Sequence, residues 1–443
     1  MDTARKPPQP QRAEPRRIGA AARGRRWRFA AIAAAALALT AAGCSSSSSS
    51  GGSSNAKVTI TELDYFTGGG NAAMIAYNKQ FEATHPNVTV KREFVPYANL
   101  ITKVLQEASA GDLPNVMLID NPNVPEVAAT GQLRAFDGLP GFTTSGYYPG
   151  ATNECTYQGK HYCYPIGTNS VGIFYNKAMF AAAHLSPPTT WAQLQSDAKT
   201  LTKAPVYGVA FDATADEQST WQLEPFFWSN GASLTKVDTP QFQQALQLWV
   251  NMVKDGSASK SVLQWGQDPD LTQQFMTKRA AMIIDGPWIF PELNKLGWKY
   301  NDQYGIVPIP TRVAGQTVVA PLGGETMDLG NSGSAQQQSA AWQWVEYMQQ
   351  TQNMTNVTSQ NYYLPTKPAI TTQVLQGGPE YTVFAKETET ARPRTTEYGA
   401  NYPKVSQAIW TAIQAAITGT ASVSSALQTA QGTISGIQQA SGG

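Results

Sequence analysis

The sequence predicts an α/β fold that begins with a parallel sheet covered by helices. Two observations carry this. Strand-like and helix-like segments alternate from Lys57 onward, a βαβαβ rhythm that favours a parallel sheet with helices on its faces. The third strand-like segment, NVMLID, is apolar from Val116 to Ile119 and ends on Asp120.

In order, KVTITELDYF reads as a buried strand, and GGNAAMIAYNKQFEATHP as a helix with Met74, Ile75, Tyr77, Asn78 and Phe81 near helical spacing. VTVKREFVP is a second strand, and YANLITKVLQEASAG a second helix that stops at Gly111. The ligand-facing edge of such a sheet lies beyond the carboxyl ends of its strands. That places it near Tyr65-Phe66-Thr67-Gly68 and Asp120-Asn121. The middle of the chain repeats the style. SVGIFYNKAMF is followed by a Pro-Pro turn, the helix TTWAQLQSDAKTLTKA, the strand YGVAFD and a long helical region through Trp249. RAAMIIDGPW, YGIVPIP and two paired C-terminal helices complete it, and no strict internal repeat is visible.

The amino-terminal region is an export signal. Arg16-Arg17, Arg23, Arg25, Arg26 and Arg28 form a basic start, Phe29 to Leu39 is an alanine-rich apolar run, and TAAG precedes Cys44. A membrane span needs roughly 20 apolar residues, so this shorter run predicts cleavage before Cys44. The pattern resembles the bacterial lipobox, with Ala41 where that motif usually has Leu, and implies a lipid on Cys44. Arg25-Arg26 leaves the twin-arginine route open beside the general secretory one. Residues 1–43 are then signal, and 44–56, dominated by SSSSSSGGSSN, form a flexible tether with no apolar face to bury.

Nine of the 32 Lys and Arg residues and two of the 31 Asp and Glu residues precede Cys44, leaving 23 basic and 29 acidic residues and a net charge of −6. That balance gives no support to nucleic-acid binding. The remaining cysteines, Cys155 and Cys163, flank CTYQGKHYC, whose short arms surround a Gln158-Gly159-Lys160 turn. In an exported chain they are expected to form a disulfide. His85, His161 and His184 lack ligand spacing, so neither a metal nor a cofactor is expected.

Several segments, in order, resemble the family-1 extracellular solute-binding proteins. They are PNVMLIDNPNVPEVAATGQLRAFD, GIFYNKAMF before PTTWAQLQSDAKTL, FMTKRAAMIIDGPW, YGIVPIP, LPTKPAI and ARPRT, spread over most of residues 57 to 435. The resemblance implies a two-lobe periplasmic-binding-protein-like fold, with a hinge crossed more than once and a ligand cleft between the lobes. It places lobe one at 57–164 and 311–390 and lobe two at 165–310 and 391–443. It also implies a lipoprotein that binds a carbohydrate, expected to be a di- or oligosaccharide, and that is monomeric, held on the outer face of the bacterial cytoplasmic membrane and serving the permease of an ABC importer by cleft closure. A binder of a non-sugar solute, such as a peptide or polyamine, is the alternative. A secreted glycoside hydrolase is a further one, although GxSxG, HExxH and P-loop motifs are absent.

Sugars require flat apolar surfaces for ring faces and planar polar groups for hydroxyls. Asp120 ends its strand as a hydroxyl acceptor or as a helix cap. Tyr65 and Phe66 offer a stacking edge, or an ordinary strand end. Trp288 is projected by the Gly286-Pro287 turn, with Asp285 beside it; the resemblance implies that this tryptophan faces the cleft, and structural packing is the alternative. Trp228 in WSNGASL is a further platform or a core residue. Gly323-Gly324-Glu325 brings backbone amides and a carboxylate to the lobe junction, or forms a plain loop. Arg394 supplies a fork for paired hydroxyls, with Arg392 as its competitor. Trp191 is assigned to a helix start and the core.

Overall fold

The computed structural model describes residues 56–376 and 378–441. The signal segment, Cys44 and the tether up to Asn55 lie outside the described residues. The strands are β1 (Val58–Asp64), β2 (Val88–Phe94), β3 (Val116–Asp120), β4 (Thr156–Tyr157), β5 (Lys160–His161), β6 (Cys163–Asn169), β7 (Gly172–Asn176), β8 (Met282–Asp285), β9 (Tyr304–Pro308), β10 (Pro321–Leu329) and β11 (Arg392–Pro393).

β1 pairs in parallel with β2 and β3, as the opening rhythm predicts. The helices between them, Gly68–Thr84 and Tyr97–Ala110, supply the crossovers that parallel strands require. Gly111 ends the second helix at φ 71°, a left-handed cap that suits glycine. In the first helix Met74, Tyr77, Asn78 and Phe81 are buried at i, i+3, i+4 and i+7, whereas Ile75 falls off that stripe and is 41% exposed. Asn78 is paired on both sides of its amide, donating to Glu62 and accepting from the Trp344 indole.

The first sheet is mixed. β10 runs antiparallel to both β3 and β6, and β11 pairs with its first two residues. β10 is buried along its whole length. Gly324 sits within it at φ 142°, and a Cβ there would stand 2.1 Å from the Gly167 carbonyl oxygen. Its glycine is therefore demanded by the close approach of β6, next to a register shift between Glu325 and Thr326. The second sheet, β8-β7-β9, is antiparallel throughout. YGVAFD, expected as a strand, contributes only isolated bridges to Ala280 and Ile283.

The chain passes between the sheets where β6 leads to β7, again between β9 and β10, and a third time after β11, where helices Tyr402–Thr418 and Val423–Ser441 return to the core of the second sheet. Grouped by sheet, β6 continues to Asn169, past the expected boundary at 164. Phe384, placed by sequence in lobe one, packs 6.1 Å from Phe174 of the second sheet. The hairpin β4-β5 turns through Gln158 and Gly159, both at positive φ, and Cys155 is bonded to Cys163. Trp191 is buried, its helix closed by a Thr190–Gln193 capping box and its indole N–H donating to the Pro310 carbonyl.

Candidate functional site

A cavity of about 340 Å³ lies where the carboxyl ends of β1, β2 and β3 meet segments that connect the strands of the second sheet. Each parallel strand delivers residues to it: Tyr65 and Phe66 after β1, Phe94, Pro96 and Tyr97 at the end of β2, and Asp120 closing β3. β10 adds Glu325, whose backbone pairs directly with that of Asp120. Directly opposed residues of an antiparallel pair project to the same face, so two carboxylates stand side by side in one wall. Opposite come Gln218 and Trp221 from the helix Glu217–Ser229, then Gln267, Asp268, Trp288 and Glu292.

Arg394 is the electrostatic centre. It is 2% exposed, and its Nη2 lies 2.5 Å from Asp120 Oδ1 and 2.7 Å from Asn121 Oδ1. Nη1 reaches Asp120 Oδ2 and Glu217 Oε1, each at 3.0 Å. The guanidinium lies 4.5 Å from the centre of the Trp221 ring. β11 explains the placement, because pairing Arg392-Pro393 with the start of β10 carries the next residue to the end of β3. Behind it, the Tyr402 hydroxyl oxygen lies 2.6 Å from Glu217 Oε1 and 2.9 Å from Glu224 Oε1, its single proton shared between the two carboxyls. Burial pushes the Glu217 carboxyl up while Arg394 pulls it down. Neighbouring carboxylates hold the arginine firmly cationic against its own burial.

Asp120 is thus committed on both oxygens, since Oδ2 also accepts from the Tyr97 hydroxyl at 3.0 Å. The expectation that Asp120 and Arg394 meet a ligand separately becomes a bidentate ion pair, with Arg394 rather than Arg392 at the cavity; the helix-capping alternative for Asp120 finds no side-chain cap bond. Arg392 pairs with Glu397. Glu325 Oε1 accepts from Tyr65 at 2.8 Å, while Oε2 has no hydrogen-bond partner. Burial, then the Asp120 charge, pushes the Glu325 carboxyl up to about 7.

Trp288 folds over Gly286, where a Cβ would stand 2.0 Å from the indole, so a side chain there would displace the ring. Across the cavity the Thr67 hydroxyl donates to Asp268. Three expected residues do not line the cavity. Asp285 is wholly buried and turned to the Thr272 hydroxyl and the Gly286 amide. Trp228 is a core residue at the end of its helix, beside Phe227 and 5.2 Å from the Arg392 guanidinium. Gly324 serves strand packing, as above.

Residues 76–383 match the family described as bacterial extracellular solute-binding protein. The chain belongs to that family. A putative ABC transporter periplasmic-binding protein of Escherichia coli (strain K12) is 25% identical over 318 residues, covering 66% of this chain and 69% of that one. A multiple sugar-binding protein of Streptococcus mutans serotype c is 23% identical over 309 residues, covering 64% and 68%. Among solved structures, the GacH receptor of Streptomyces glaucescens GLA.O, studied unliganded and with acarbose, superposes with a TM-score of 0.75 at 23% identity, covering 86% of this chain and 98% of that one. That likeness establishes the two-lobe fold.

In this solute-binding protein the strand-end rule applied to β1 and β3 also holds for β2, and applying it there would have found Phe94 and Tyr97 from sequence. Trp221, Gln218 and Gln267 carry no comparable signal. They lie within or beside helices, and only the docking of the second sheet turns them toward Arg394 and Trp288. Among the described residues no helix is long and apolar enough to cross a membrane, and no group of His, Cys, Asp or Glu forms a metal cluster.

Proposed function

We propose that this solute-binding protein is the lipid-anchored receptor of an ABC importer and closes its two lobes on a small carbohydrate. The cavity carries the reading. Tyr65, Phe66, Tyr97, Trp221 and Trp288 line it with rings, and Asn169, Gln218, Gln267 and Asn361 with planar amides, drawn from the first sheet and from segments that connect the strands of the second. Rings suit the C–H faces of a pyranose and amides suit its vicinal hydroxyls. The volume is at the low end of the ~300–1,000 Å³ typical of ligand sites, which favours one or two sugar rings over a long chain. The relative named a sugar-binding protein and the acarbose complex of the GacH receptor support the same class. Closure follows if the sugar binds the closed form more tightly than the open one.

A thermal-shift screen against mono- and oligosaccharides tests this. A bound sugar at about 100 times its Kd adds about 2.7 kcal/mol of apparent stability. A panel in which no sugar raises the midpoint removes the carbohydrate reading, and hydrolysis of a sugar that does bind replaces transport with catalysis. The anchor is tested separately by mass spectrometry of the native membrane fraction, where a mature form lacking an acylated Cys44 rejects it.

A further inference from the structure

The walls of the cavity are unequal in charge. Asp120, Asp268, Glu292 and Glu325 line it, and the single cationic lining residue among those described is Arg394. That guanidinium is already bonded to Asp120, Glu217 and Asn121. Glu292 is met by Lys295 at 2.7 Å on the outer side. Glu325 has no cation within salt-bridge distance among the described residues and is 7% exposed; the Tyr65 and Tyr363 hydroxyls face its carboxyl, and Oε2 makes no direct hydrogen bond. A buried carboxylate oxygen without a donor is costly, and the cost falls when a charged donor arrives. Tyr65 and Tyr363 stand beside it, and Tyr97 and Trp288 line the same cavity, rings whose faces attract cations.

We infer that the ligand of this cavity carries an ammonium group, as an amino sugar does, and that Glu325 is the residue that selects it over neutral and acidic sugars. This rests on the carbohydrate reading and deepens it. The amides and ring faces bind the sugar scaffold, while Glu325 Oε2, with Asp268 across the cavity, receives the ammonium protons. A carboxylated sugar meets the same wall with the wrong sign and is excluded. The groups that face Glu325 are Asp120 across the strand pair, the Tyr65 and Tyr363 hydroxyls, and Arg394. β6, on the other side of β10, presents Gly167 at this position and adds no charge.

The test is a charge series on constant scaffolds. Calorimetry at neutral pH compares the 2-amino, parent and uronic-acid forms of glucose, galactose and mannose and of their β-1,4 and α-1,4 disaccharides, in wild type and Glu325→Gln. The expected order is amine, parent, uronate, with the amine favoured at least tenfold over its parent. Glu325→Gln should collapse that ratio toward one. Acidification from about pH 7.5 to about pH 5.5 should shrink the ratio in wild type, because the carboxylate takes up its own proton, and leave it unchanged in the variant. Equal affinity for amine and parent, or a preference that survives Glu325→Gln, overturns this inference and leaves the carbohydrate reading intact. No binding by any member overturns both. Binding of putrescine with no sugar bound overturns it in favour of a simple polyamine.

Discussion

Phe227 and Arg394 are about equally hidden from water, at 0% and 2% exposure, yet the two regions around them are built on opposite principles. Phe227 stacks on Phe242 with centroids 4.1 Å apart, inside an apolar core that the C-terminal helices close. Arg394 sits among carboxylates, amides and a tryptophan face, where every contact depends on another. An apolar core tolerates exchange of similar volumes. A buried ionic cluster loses far more when one member leaves, because the remaining charges stay buried without a partner. The region that tolerates least is thus the one against the cavity.

The largest effect expected follows from that contrast. Arg394→Met should destabilise the protein by about 3–5 kcal/mol, whereas Met252→Leu, in the apolar core, should cost less than about 1.5 kcal/mol. Urea denaturation of both variants checks this, and equal losses would erase the distinction between the regions. Next comes the disulfide. Cys155→Ser with Cys163→Ser opens a short loop and should cost about 2–3 kcal/mol without reaching the cavity, so ligand affinity should persist while the midpoint of unfolding falls.

Trp288→Ala sharpens the comparison from the other side. The ring lines the cavity and is only partly buried, so affinity for a bound sugar should fall more than tenfold, about 1.4 kcal/mol, with a smaller change in stability. Unchanged affinity by calorimetry would move the stacking platform elsewhere.

The last expectation is a pH dependence. Burial pushes the carboxyls of Glu154 and Glu325 up to about 7 and that of Asp328 up to about 8. Between the ordinary carboxylate range and these values the folded protein holds protons that the unfolded chain has released. Their stabilisation is complete below about pH 4 and is lost as pH rises through 7 and 8. The thermal midpoint should therefore fall between about pH 5 and about pH 8.5. Asp328→Asn should recover part of the loss at the upper end and change little at the lower, and a midpoint that rises with pH would contradict the assignment.

The early strands, the two crossover helices, the Gly111 cap, the hairpin of β4 and β5 and the paired C-terminal helices were all legible because their signals are local. Apolar period, glycine and turn chemistry act within a few residues. Asp120 and Tyr65 were legible for a related reason, since a parallel strand puts its carboxyl end at the ligand edge wherever the sheet sits. Trp228 and Asp285 misled because an aromatic beside a polar turn, or an acid ending a strand, looks the same whether it faces a cavity or Thr272. β10 was not read as a strand at all, and its antiparallel direction is set by where the chain re-enters the first sheet.

By itself, then, the sequence determined the alternation of elements, the family and the residue types available for a ligand. Only the tertiary structure decided that Arg394 would be spent on Asp120, 274 residues away, that Glu217 and Trp221 would join it from the helix Glu217–Ser229, and that Glu325 would be left without a cation. Pairing of charges across that distance follows from the registry of β11 and β3 on β10, a long-range geometry that no local period encodes.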